Sequence, residues 1–99
     1  MRLRLSPLVP GDLEEIAGYI AQDSPRHAWR VIRLLRAKMV EIAKDPTLYR
    51  LRPELGVDAR LAVAGSYVIL FRVRDKTVRV ERVVHGMRNL PVRLGDEGG

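Results

Sequence analysis

The stretch RLAVAGSYVILFRVRDKTVRVERVV, residues 60–84, decides the fold. Apolar and polar side chains alternate along it with a period of two, the pattern of strands that lie on a core. Gly65-Ser66 and Asp75-Lys76 interrupt the pattern as two-residue breaks of the kind that close β-hairpins. The stretch therefore reads as three consecutive strands over residues 60–64, 67–74 and 77–84. In the middle strand Tyr67, Ile69, Phe71 and Val73 share one face, while Val68 and Leu70 lie on the other. In the last strand Val78 and Val80 share a face. The alternation then stumbles at Arg82-Val83-Val84, which predicts a bulge or a strand covered on both sides.

Upstream the period changes to that of a helix. Ala28, Ile32, Leu35, Met39 and Ile42 recur at spacings of four and three, with Val31 and Leu34 broadening the stripe. Arg26, Arg30 and Arg33 run along another face and read as solvated. Ser24-Pro25 supplies an N-cap and a first-turn proline, and Asp45-Pro46 ends the helix because a residue before proline avoids the helical region. A shorter helix precedes it, with Leu13, Ile16, Ala17 and Ile20 as its stripe and Asp12, Glu14 and Glu15 in its first turns, where they suit the helix dipole. Ser6-Pro7 offers a cap for this helix, but Pro10 cannot donate the first intrahelical hydrogen bond, so the regular helix is expected to begin only at residues 10–12. The short link between the helices makes them an antiparallel hairpin. Arg2 to Leu5 alternates and reads as a strand. The expected fold is α+β in the order β-α-α-β-β-β: an N-terminal strand, a helix hairpin, then a three-stranded antiparallel sheet with one face left partly open.

Composition narrows the function classes. The chain has 99 residues, 46% hydrophobic and 30% charged, a globular balance for a single domain, expected over residues 1–94 with a flexible acidic tail at 95–99. The absence of cysteine excludes a disulfide framework, a thiolate zinc site and a Cys nucleophile, and two histidines make a metal centre unexpected. No cofactor is implied. No apolar run approaches the length that spans a bilayer, and the N-terminus lacks the apolar stretch of a signal peptide, so a cytoplasmic domain is expected. Eighteen Lys+Arg against twelve Asp+Glu give a formal charge of +6, concentrated in residues 50–94 and carried mainly by arginine. Arginine's planar fork suits phosphate and carboxylate partners, so the C-terminal half reads as a surface for a polyanion or an acidic protein.

Several segments together resemble a known family. They are Leu5-Ser6-Pro7 ahead of Asp12-Leu13-Glu14-Glu15-Ile16, Ala28 in the second helix, Pro46, Arg52-Pro53-Glu54-Leu55-Gly56, Arg60, Gly65-Ser66-Tyr67-Val68-Ile69 and Arg82-Val83-Val84-His85-Gly86-Met87-Arg88-Asn89. In order and spacing they are similar to the ParE branch of the ParE/RelE superfamily, the toxins of bacterial type II toxin–antitoxin modules. Pro10-Gly11 and Asn89 depart from the family's usual residues. The resemblance implies a toxin that inhibits DNA gyrase by binding and is neutralised by a ParD-like antitoxin; the alternative is a RelE-like ribosome-dependent mRNA endonuclease. A third reading, a basic nucleic-acid-binding domain, rests on charge alone.

Cleaving RNA beside a 2′-hydroxyl needs a base, a cation for the phosphorane charge and an acid for the leaving oxygen. His85, Arg82, Arg60 and Glu81 are the candidates for those roles. The RNA-cleaving branches carry a tyrosine near this end, and none follows Tyr67 here, which disfavours the nuclease. For target contact the candidates are Arg60, Arg82, His85 and Arg88; for the antitoxin, Trp29, Arg30, Tyr67 and Arg72. Each also has a structural reading: His85 as a strand-end residue, Tyr67 and Trp29 as core, and Arg60 and Arg82 as half-buried cations paired with Glu54, Asp58 or Glu81. Tyr49, in the loop, reads either way.

Overall fold

The computed structural model describes residues 1–86. The elements follow the expected order: β1 (Arg2–Leu5), α1 (Val9–Ala21), α2 (Pro25–Lys44), β2 (Arg60–Ala64), β3 (Tyr67–Arg74) and β4 (Thr77–His85). Two single-turn 3₁₀ helices, Pro46–Leu48 and Pro53–Leu55, carry the chain from α2 to the sheet. Among the described residues no helix is long and apolar enough to cross a membrane.

The sheet differs from the expectation in one respect. It has four strands, not three, in the order β1-β4-β3-β2, and β1 lies parallel to β4 at the edge, so the sheet is mixed. Parallel neighbours require a crossover between them, and everything from α1 to β3 forms it. Both hairpins form at the predicted dipeptides. Gly65 takes φ +60°, and Asp75 and Lys76 take φ +51° and +58°, the left-handed values that two-residue hairpin loops demand. The stumble in β4 is a bulge: Leu70 pairs with Arg82 and Phe71 with Val80, leaving Glu81 as the extra residue.

The two helices cover one face of the sheet. Leu13 and Ile16 of α1 and Leu35, Met39 and Ile42 of α2 meet Ile69, Phe71, Val78, Val80 and Val83 in a single buried core. The opposite face is not simply open, because the segment before β2 folds beneath it and buries Leu55 and Ala59 against Leu70. Ser24 caps α2 as expected, its hydroxyl accepting from the His27 amide at 3.1 Å. Two flank residues depart from the core reading: Leu34 is 62% exposed and Trp29 64% exposed, because they lie on the flanks of α2 outside its buried stripe.

The start of α1 is also displaced. The helix begins at Val9 with Leu8 as its cap residue, which puts Pro10 in the first turn, where its missing N–H costs nothing. Ser6 is not the cap residue, but its hydroxyl accepts from the Leu8 amide at 3.3 Å just ahead of the helix. Its amide donates to the Val80 carbonyl at 2.8 Å, and its buried hydroxyl donates to the Glu81 carbonyl at 2.7 Å. Ser6→Ala removes both hydroxyl bonds and leaves the Glu81 carbonyl unsatisfied. It is expected to cost about 1 to 2 kcal/mol, measured by urea unfolding, with the secondary structure unchanged by circular dichroism.

Candidate functional site

The geometry around Arg82 begins where β1 runs out. β1 pairs with β4 only as far as Leu5 opposite Val80, so the remaining edge of β4 presents backbone groups with no strand beside them. Ser6 meets the Glu81 carbonyl, and the Asp12 carboxylate from the first turns of α1 meets the next donor: the Val83 amide lies 2.9 Å from Asp12 Oδ2. Arg82 completes the arrangement with a bidentate pair, its Nε 2.9 Å from Oδ2 and its Nη2 2.9 Å from Oδ1. Hydrogen bonding to Asp12 pushes the Arg82 pKa still further up. Arg82 therefore has a partner, but not one of those the sequence suggested. The overlooked signal was that Asp12 falls on the same helical stripe as Val9, Leu13 and Ile16, and a carboxylate on an apolar stripe requires a buried partner.

The other proposed chemical groups have partners of their own. Arg60 donates from Nη1 to the Tyr49 carbonyl. Tyr49 itself stands edge-on to Phe71, with centroids 5.7 Å apart, and Lys38 approaches its ring to 5.4 Å. The hydrogen bond with Tyr49 raises the Lys38 pKa above its ordinary value. Glu81 is buried between two cations, with Arg72 Nη1 3.6 Å and Arg79 Nε 2.8 Å from its oxygens. Glu54 pairs with Arg52 at 2.7 Å, and that bond holds its carboxyl below the usual range. His85 stands at the end of β4 opposite Tyr67, the two rings edge-to-face with centroids 5.5 Å apart. Its Nδ1 is buried and has no hydrogen-bond partner among the described residues. The next residue is tied down, since the Gly86 amide donates to the Ser66 carbonyl at 2.9 Å and a Cβ there would press on Val68 at 3.3 Å. Arg88 lies outside the described residues.

Three of the four residues proposed for a partner surface lie close together. Trp29 and Arg30 line a hollow along the outer side of α2, where Arg33 stacks over the Trp29 ring at 4.7 Å from its centroid. Leu34 and Ala37 are shared between this hollow and a groove of about 540 Å³ that runs between α2 and the β2–β3 hairpin. Tyr67 lines that groove, with Val31 and Val63. Arg72 stands apart from them. It is 2% exposed and lies on the sheet face opposite the helices, beside Glu81.

The comparison with known proteins decides the family. The family model of the ParE toxin of the type II toxin–antitoxin system parDE matches residues 3–90. The chain belongs to the ParE toxin family. Its fold is shared with a chain of the chromosomal ParDE toxin–antitoxin system from P. aeruginosa, at a TM-score of 0.74 and 18% identity, covering 86% of this chain and 95% of that one. A chain of the toxin–antitoxin complex RelBE2 from Mycobacterium tuberculosis matches at a TM-score of 0.59 and 25% identity, covering 85% and 88%. No curated protein sequence matches. The protein is a type II toxin–antitoxin toxin of the ParE/RelE superfamily.

In this ParE toxin the Asp12 carboxylate answers both a buried backbone amide and a guanidinium. Asp12→Ala is expected to destabilise the fold by about 2 to 3 kcal/mol, a fall in Tm of roughly 10 to 20 °C. Asp12→Asn keeps an oxygen for the Val83 amide but loses the charge and turns an amide NH2 towards a guanidinium N–H, so a smaller loss of about 1 to 2 kcal/mol is expected. Thermal unfolding of the two variants beside the parent protein checks the order.

Proposed function

We propose that this toxin acts in the cytoplasm by binding DNA gyrase and inhibiting it, and that a ParD-like antitoxin neutralises it. The observation that carries this reading over RNA cleavage is the state of the groups a nuclease would draw on. Arg82 is engaged by Asp12, Arg60 by a backbone carbonyl and Glu81 by two arginines. Each of these groups is engaged within the fold. Phosphoryl transfer to a 2′-oxygen needs an acid, a base and a cation around one phosphate. A binding mechanism needs only a presented surface, and in the sequence Arg88 follows His85 closely as a further cation.

The antitoxin is assigned to the helix side. Exposed Trp29 and Leu34 provide apolar anchors of the kind that dominate interfaces, ringed by Arg26, Arg30 and Arg33. The groove beside them, closed on its far side by Val63 and Tyr67, suits an acidic amphipathic segment that folds on docking. Rim arginines would set the rate of association and the apolar anchors the lifetime of the complex.

One feature favours the endonuclease as the second reading: the imidazole of His85 is set beside the Tyr67 ring with an unoccupied nitrogen. The two readings separate cleanly in vitro. The purified toxin should inhibit gyrase supercoiling and leave ribosome-bound mRNA intact. Removing residues 87–94, which retains the Gly86–Ser66 bond, should abolish inhibition. His85→Ala should weaken it by about 1 to 3 kcal/mol, a contact-sized loss. Ribosome-dependent cleavage that falls about 100-fold or more in His85→Ala would instead establish the nuclease. For the antitoxin, Trp29→Ala should weaken the complex by about 2 to 4 kcal/mol, measured by calorimetry, with gyrase inhibition by the free toxin retained.

A further inference from the structure

The sheet face turned away from the helices carries a row of like charges. Arg4 of β1 pairs with Arg79 of β4, and Arg79 pairs in turn with Arg72 of β3. One step along, Arg2 pairs with Thr77 and Thr77 with Arg74. Leu3 and Leu5, the alternate residues of β1, stand opposite Val78 and Val80, which belong to the helix-side core, so the arginines point the other way. Strand spacing sets neighbouring guanidinium stems about 5 Å apart across the sheet and about 7 Å apart along a strand. Like charges directly opposite one another destabilise a sheet. Arg72 is buried beside Glu81, which also meets Arg79, and Asp58 lies 4.0 Å from Arg74, so the cations this face presents are Arg2, Arg4 and Arg74 with half-buried Arg79. Among the described residues Arg2 and Arg4 have no ion-pair partner, and both are exposed.

We propose that this face binds the phosphate backbone of duplex DNA without reading its sequence. Charge complementarity points to a polyanion, and the distribution of aromatic residues chooses among polyanions. The chain has five aromatic side chains. Tyr19 and Trp29 project from the helices, and Tyr49, Tyr67 and Phe71 belong to or pack on the helix-side core. None is offered on the arginine face. Single-stranded nucleic acids are held by stacking bases on aromatic rings, and acidic proteins by aromatic anchors at the interface centre. A duplex, with its bases already stacked and its phosphates outward, asks for neither. The arginine face and the α2 groove lie on opposite sides of the sheet, so DNA and an antitoxin can be held at once.

Fluorescence anisotropy with the full chain and a 20-base-pair duplex tests this. With about four phosphates neutralised, affinity should fall roughly 100-fold between 50 and 200 mM salt. Arg2→Ala/Arg4→Ala should reduce the log–log salt slope by about 2. Arg26→Ala/Arg30→Ala, which removes the same charge from the helix side, should leave the slope unchanged, and Arg2→Lys/Arg4→Lys should retain binding. Equal losses in the two alanine pairs would reduce the effect to net charge and overturn the proposal. So would tighter binding of a 20-nucleotide single strand, equal binding of poly-glutamate, or no duplex binding at 50 mM salt. The last three outcomes are read on the unaltered protein and stand even if the alanine pair on β1 fails to fold.

Discussion

The Asp12 carboxylate is the constraint on which the rest of this small fold depends. A parallel edge strand of four residues cannot cover a nine-residue neighbour, and the uncovered length of β4 carries backbone groups that must be satisfied. Ser6 and Asp12 continue the ladder with side chains where β1 has stopped. Two things follow. The chain can turn out of the sheet immediately after Leu5 and enter α1 without leaving an orphaned edge. α1 is also fixed at a definite height and angle against β4, because Asp12 sits in its first turns and holds two groups of the strand at once. The bulge at Glu81 belongs to the same arrangement, since it re-aims the strand at the point where Ser6 and Asp12 take over from β1.

The arginine-rich strands follow the same rule, satisfying acceptors inside the fold. Arg82, Arg60 and Arg72 look like available cations in the sequence, yet each answers a buried or half-buried acceptor: a carboxylate, a carbonyl or Glu81. Arginine serves this purpose because its fork satisfies two acceptors with one planar group and stays charged under burial. The chain thus divides its arginines into those that close the structure and those that decorate it, on the outer side of α2 and on the far face of the sheet. The proposed partner surfaces draw on the second group.

The proposed function is correspondingly a matter of surfaces. The helix side presents apolar anchors with a cationic rim, and the sheet side presents cations without anchors. These are different chemistries, suited to a folding peptide and to a phosphate backbone respectively, and the sheet keeps them apart.

By itself the sequence determined the elements and their order. Period-two alternation with Gly65-Ser66 and Asp75-Lys76 specified the meander, and Ser24-Pro25 with Asp45-Pro46 bounded α2, because these signals are local: a turn type needs particular φ values, and a cap needs one oxygen three residues ahead of an amide. The stumble at Arg82-Val83-Val84 likewise registered the bulge next to it. Tertiary structure decided what depends on pairs far apart in the chain. β1 joined the sheet in parallel, which four residues of alternation cannot signal. Asp12 became the partner of Arg82 across seventy positions, and no spacing rule links a helix stripe to a strand edge. Trp29 and Leu34 turned outward because the width of the sheet, not the width of the apolar stripe, limits how much of α2 can be buried.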